Sequence, residues 1–319
     1  MLTRRQAIFV MSSAAACLPG LAGASAPLNI VATTGMIADA ARVLGGPSVT
    51  VEALMGPGVD PHGYRQTRTD IVSLTRADLI FWHGLGLEAQ MEQVLADLAR
   101  RSPVKAVADT LPVTELLAHD VYEGRYDPHV WMDPKLWSLV VSEMREAMAK
   151  TRPELAAEFT ANAESYQTQL TRLDEYAQRV LGSVPEERRV LVTAHDAFGY
   201  FGRAYGYEVM GLQGISTEAE AGLNRISELV DTIVSRKIAA VFVESSVSDR
   251  AMRALIEGAA AQGHTLRIGG ELFSDAMGPE GSYEGSYLGM LDHNITTIAK
   301  ALGGVVPGRG MDGKLTKAV

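Results

Sequence analysis

The chain has 319 residues, 47% of them hydrophobic, with one cysteine and a formal net charge of −9. That length and apolar content support a large core and two domains rather than one. The acidic balance argues against nucleic acid as a partner and favours the collection of cations.

The first 26 residues read as an export signal. Met1-Leu2-Thr3-Arg4-Arg5 is a basic start, Ala7 to Leu18 is apolar and rich in small residues, and Ala24-Ser25-Ala26 is an A-x-A cleavage site. The apolar run is too short to span a bilayer comfortably. Arg4-Arg5 also permits a twin-arginine signal, and lipidation at Cys17 is the lesser alternative to cleavage after Ala26. Removal of the segment takes away Arg4, Arg5, no acid and the only cysteine, so the charge becomes −11. A metal site in the mature chain must then use nitrogen and oxygen ligands.

From Pro27 the pattern alternates strand and helix. Strands are expected at Leu28 to Ala32, Val49 to Met55, Ala77 to Trp82 and Val104 to Val107, with helices at Gly35 to Leu44 and Gln66 to Arg76. Thr151-Arg152-Pro153-Glu154 then has the S/T-x-x-E capping signature with proline near the first turn. Phe159, Ala163, Tyr166, Leu170, Leu173, Ala177 and Val180 follow at steps of three and four, a helical stripe that Gly182 and Pro185 stop. A helix over Pro153 to Leu181 spans about 43 Å at 1.5 Å per residue, enough to join two lobes. Strands are expected again at Arg189 to Thr193, Glu208 to Met210, Ala239 to Glu244 and Thr265 to Ile268. The helices between and after them are Ala197 to Tyr205, Leu223 to Arg236, Asp249 to Gln262 and Tyr287 to Leu302. The tail from Val305 is polar and expected to be loosely held. The reading is α/β: a lobe over residues 27–150, a rigid linking helix over 151–182 and a second lobe over 183–319, each with a mostly parallel sheet.

Chemistry concentrates at strand ends. Asp-Pro-His occurs twice, at Asp60-Pro61-His62 and Asp127-Pro128-His129, while His195 ends an apolar strand and Asp275 lies beyond another. In open α/β sheets ligands bind beyond the carboxyl ends of strands, so two residues from each lobe would face a cleft between them. One Asp-Pro-His alone reads as a turn. Two copies with His195 and Asp275 make a metal constellation. Imidazole suits zinc, manganese, iron, nickel and copper better than calcium or magnesium. A monodentate Asp275 would suit tetrahedral zinc, and a bidentate one a five-coordinate ion such as manganese. The remaining histidines, His83, His119, His264 and His293, read as surface or hydrogen-bonded core residues. Tyr126, Trp131 and Trp137 read as cleft wall or core, and Glu244-Ser245-Ser246 either supports a ligand or makes structural hydrogen bonds.

These motifs resemble the cluster A-I receptors of bacterial ABC importers, in particular the TroA-like zinc/manganese solute-binding proteins. The resemblance rests on Asp60-Pro61-His62-Gly63-Tyr64, on Asp127 to Pro134, on Thr193 to Phe201, on Gly214-Ile215-Ser216-Thr217, on Val243-Glu244-Ser245-Ser246 and on Gly269 to Met277. It covers essentially the whole mature chain. It implies His62, His129, His195 and Asp275 as ligands of one Zn2+ or Mn2+ ion, with iron the lesser alternative, and possession of the rigid linking helix, whose stiffness predicts only a small lobe movement. It also implies a periplasmic monomer that hands its ion to an inner-membrane permease driven by an ATPase. Manganese-dedicated relatives often carry glutamate at the position of His195. Zinc-dedicated ones often carry a long histidine-rich loop where this chain has the short stretch from Glu115 to Tyr126 with only His119. The chain matches neither pattern. The competing class is a zinc hydrolase on the same three histidines, with Glu244 or Glu271 as base; it lacks an H-E-x-x-H motif. A nucleotide-dependent enzyme would need a glycine-rich phosphate loop that the sequence does not contain.

Overall fold

A computed structural model describes residues 26–119 and 122–316. The expected export signal, with Arg4, Arg5 and Cys17, lies outside the described residues.

The first lobe is built on a parallel sheet of β1 (Leu28–Ala32), β2 (Val49–Ala53), β3 (Leu79–Trp82) and β4 (Val104–Ala106), in the order β2-β1-β3-β4. β1 and β3 are flanked on both sides and read as near-continuous apolar runs, as strands covered on both faces do. Its helices are α1 (Gly35–Gly45), α2 (Arg68–Arg76), α3 (Glu92–Leu98) and α4 (Pro134–Thr151). A Thr67–Asp70 capping box starts α2, and Asp133 with Pro134 starts α4.

The long helix α5 (Ala156–Leu181) has 26 residues, about 39 Å of rise. Every residue of the stripe from Phe159 to Val180 is buried. The expected cap at its start does not form. Thr151 is instead the last residue of α4, and its hydroxyl donates to the Ala147 carbonyl. Glu154 pairs with Arg152, and a single 3-10 turn over Pro153–Leu155 intervenes before α5. Proline cannot donate a backbone hydrogen bond, so the chain turns there rather than running on from α4.

The second lobe holds β5 (Val190–Thr193) paired in parallel with β6 (Glu208–Gly211), and β7 (Ala240–Glu244) paired in parallel with β8 (Arg267–Leu272). β5 lies beside β7. α6 (Gly199–Tyr205), α7 (Leu223–Ser235), α8 (Arg250–Ala261) and α9 (Tyr287–Ala301) complete it. β8 begins and ends later than the sequence suggested, because it runs through Gly269 and Gly270. A side chain at Gly269 would meet Phe242 and Ala301, and one at Gly270 would meet Thr297, so these glycines serve the close approach of α9.

One hydrophobic core crosses the lobes. It joins Ile37 and Leu44 of α1, Trp137 and Met144 of α4 and the stripe of α5 to Phe201 of α6, Phe242 of β7 and Tyr287 and Ile295 of α9. Trp137 stacks on Tyr287 with ring centroids 5.2 Å apart. Smaller cores lie under α7 and α8 and under α2 and α3. The tail through residue 316 is tied down, contrary to its polar composition. Asp292 accepts from the Met311 amide, Glu284 accepts from the Thr316 amide and hydroxyl, and Leu315 is fully buried.

Candidate metal centre

His62, His129, His195 and Asp275 converge between the lobes, each on a loop after a strand, and their ligand atoms lie within 4.8 Å of one another. The His62 and His129 Nε2 atoms are 3.3 Å apart. Asp275 places Oδ1 3.4 Å from His129 Nε2, and Oδ2 3.1 Å from His195 Nε2 and 3.9 Å from His62 Nε2. Ligand atoms about 2.05 Å from a tetrahedral ion stand about 3.3 Å apart. The cluster therefore has the size of a first coordination sphere.

Its polar atoms are otherwise unpaired. His195 Nε2 and both Asp275 oxygens are buried without a hydrogen-bond partner among the described residues. Each such group costs about 1–3 kcal/mol when left unsatisfied, and a cation would satisfy all three.

Carboxylates aim two of the rings. Asp127 Oδ1 accepts from the His129 amide at 2.9 Å and sits 2.6 Å from its Nδ1. Glu244, at the end of β7, accepts from the His195 amide at 2.9 Å and sits 2.5 Å from its Nδ1. A proton held at Nδ1 leaves Nε2 as the metal-facing lone pair and makes it more basic. Burial disfavours the charge on both rings. For His129 the pull of Asp127 and Asp275 overcomes that and raises the pKa to about 9, and for His195 the pull of Asp275 and Glu244 raises it well above 6.5. Asp275 is also disfavoured by burial, yet the adjoining His195 and His129 hold it well below the usual carboxylate range. His62 goes the other way, down to about 3, through burial that Asp275 does not offset.

The loops are braced across the lobe boundary. The Trp131 indole N–H donates to the Ser274 carbonyl, one residue before Asp275, at 2.8 Å. Tyr287 Oη donates to the Trp131 carbonyl and Tyr200 Oη to the Asp127 carbonyl. Asn294 of α9 takes both backbone groups of Phe273, and Ser246 bonds Ser274 through their hydroxyls.

Sequence reasoning did not identify Glu88. It is fully buried where β1 and β3 end, and accepts from Thr33 Oγ1 and from the His83 and Gly84 amides. Gly84 and Gly86, both at positive φ, make the tight turn that brings it back there. Burial raises its pKa to about 7. This is the point where the strand order reverses, and the chain fills it with its own carboxylate. His83 lies outside the cluster but bonds the Pro128 carbonyl through Nε2, packing against Trp131. His264 and His293 bond backbone carbonyls, and His119 lines the cleft mouth. That cleft, about 790 Å³, reaches His62 past Tyr126 and Arg125 on one lobe and Gly214, Ile215, Ser216, Glu218 and Ala219 on the other.

The chain is similar to known proteins over most of its length. Residues 30–301 match the family model described as ZnuA, zinc-uptake complex component A, periplasmic. The chain is 50% identical over 273 residues to the zinc-binding protein TroA of Treponema pallidum, covering 86% of this chain and 88% of that protein. It is 46% identical over 298 residues to the manganese-binding lipoprotein MntA of Bacillus subtilis, covering 92% and 97% respectively. The solved structure of the periplasmic zinc-binding protein TroA from Treponema pallidum superposes with a TM-score of 0.85 at 49% identity, covering 86% of this chain and 99% of that one. The chain belongs to the ZnuA family of metal-binding solute-binding proteins.

Proposed function

We propose that this protein captures one divalent zinc or manganese ion with His62, His129, His195 and Asp275 and delivers it to an ABC permease and its ATPase. The observation that carries the reading is the convergence of those four buried groups, with neither Asp275 oxygen given a hydrogen-bond partner outside the cluster among the described residues. Three neutral imidazoles and one carboxylate leave a net single positive charge on the ion, and both Asp275 oxygens face the histidine nitrogens. That disposition accommodates monodentate zinc and bidentate, five-coordinate manganese alike. It fits a family whose members are named for different metals.

The location is extracytoplasmic, as for the lipoproteins among its relatives. Residues 1–26 serve as the export signal into the periplasm. Residues 27–150 and 183–319 act as the two lobes and 151–182 as their link, in a monomer. The ion passes through unchanged. A hydrolase would need an open coordination position and a free base. Glu244 is engaged with His195 through both oxygens, and Glu271 is exposed outside the cluster. The test is to purify the protein without chelator, identify its metal by mass spectrometry, and titrate the apo form with zinc and manganese. One equivalent bound tightly and lost in His195→Ala is expected. No metal above background overturns the reading.

A further inference from the structure

The three histidines are not held alike. For His129 and His195, one carboxylate serves both the backbone amide and the ring Nδ1. For His62, Asp60 Oδ1 accepts from the backbone amide at 2.9 Å, but the ring receives no carboxylate at Nδ1 among the described residues. The second oxygen of Asp60 leaves the motif altogether. Oδ2 accepts from the hydroxyl of Thr217, which belongs to the other lobe.

Thr217 stands on a segment that starts beside His195. The Leu212 and Gln213 amides donate to the Thr193 and Ala194 carbonyls, and the Asp196 amide donates to Gly214. The segment then crosses the cleft mouth, where Gly214, Ile215, Ser216, Glu218 and Ala219 line the same cleft as His62. A second link follows one residue on, from Gln90 Nε2 to Glu218 Oε1 at 2.9 Å, but that pair is exposed. Both links end on a carboxylate oxygen, but the Thr217–Asp60 bond is half-buried and less open to competition from water, so it is the stronger of the two. A continuous path thus runs from the loop of His195, through Gly214 and Thr217, to Asp60 and the backbone of His62.

We infer that Thr217 is a positioning residue for His62: its hydroxyl, acting across the cleft through Asp60, takes the place of the carboxylate that the other two rings have. The inference rests on the metal-capture reading above. His62 borders the cleft mouth, so a loosened His62 loop opens the ion to solvent from that side. The consequence falls on how long the ion stays, since loss of one positioning bond changes dissociation more than encounter.

The test uses the full mature protein and zinc. Thr217→Val removes the hydroxyl at nearly constant shape, and Thr217→Ser restores it. Zinc release into excess chelator is followed by stopped flow, and the Co2+-substituted form by its visible spectrum. Thr217→Val is expected to release zinc about tenfold faster, the loss of one charge-assisted bond. Its Co2+ spectrum should shift, and Thr217→Ser should return both release and spectrum to wild type. Thr217→Val combined with Asp60→Asn should add little to either change alone. Release and spectrum unchanged in Thr217→Val, or fully additive effects in the pair, overturn the inference. Failure of the wild type itself to bind zinc overturns the capture reading instead.

Discussion

Asp60-Pro61-His62 and Asp127-Pro128-His129 are one tripeptide in two settings. Both fold the same way locally: the aspartate accepts the amide of the histidine two residues on, at 2.9 Å in each case. There the likeness ends. Asp127 is buried, also meets the ring of its histidine, and has its carbonyl held by Tyr200 of the other lobe. His83 grips Pro128, and Trp131 ties the same loop to Ser274. Asp60 is half-buried, and its free oxygen faces Thr217. The tripeptide sets the turn, and the surroundings decide whether the ring is fixed. The second copy belongs to a braced platform with His195 and Asp275, and the first stands at the cleft, held from the other lobe by Thr217.

Removing ligands should break the comparison most visibly. His129→Ala is expected to abolish stoichiometric zinc binding in calorimetry, whereas His62→Ala should leave weak binding on the remaining three groups. Equal losses would mean that the platform is not preformed. Next in size are the aspartates. Asp127→Ala should weaken zinc binding by about 10–100-fold, the usual effect of losing a ligand's supporting carboxylate. Asp60→Ala should act mainly on the release rate, and a larger affinity loss from Asp60 than from Asp127 would reverse the assignment.

Protonation sharpens the same contrast. Metal and proton compete for Nε2, so a raised histidine pKa means protons must leave when metal enters. Near pH 7 His129 and His195 hold theirs and His62 does not, so binding should release about two protons. Affinity should rise as pH climbs from neutral toward about 9, as His129 deprotonates unaided. Calorimetry in buffers of different ionisation enthalpy counts the protons; Asp127→Asn, which weakens the hold on His129, should lower the count. Trp131→Phe should act on stability instead of binding. It leaves the buried Ser274 carbonyl without its donor, at about 1–3 kcal/mol of unfolding free energy in urea.

The four converging residues were legible because each sits where a strand gives out, and because one tripeptide repeats. The stripe of α5 was legible because its seven buried positions keep a helical period. The bracing was not. Trp131 finds Ser274 at a separation of 143 residues and Tyr200 finds Asp127 at 73, and no local pattern encodes such pairs. Nor does the tripeptide say that Asp127 will meet the ring of its own histidine while Asp60 turns its second oxygen to Thr217. A helix is expected after Asp127-Pro128-His129 but without bounds, although Asp133-Pro134 signals the start of α4 and Leu136, Trp137, Val140, Val141, Met144 and Met148 mark its buried face. Thr151 misled because a cap depends on where the preceding helix ends, and α4 runs through that residue.

The core that crosses the lobes has a consequence for cutting the chain. Trp137 rests on Tyr287, and α5 lies between α1 and α4 on one side and α6 and α9 on the other. A fragment ending at residue 150 would display the faces of α1 and α4 that α5 and Tyr287 normally cover, and should be insoluble by itself. Co-expressed with the remainder it should regain a partner for those faces, so that two inactive halves reconstitute one soluble protein.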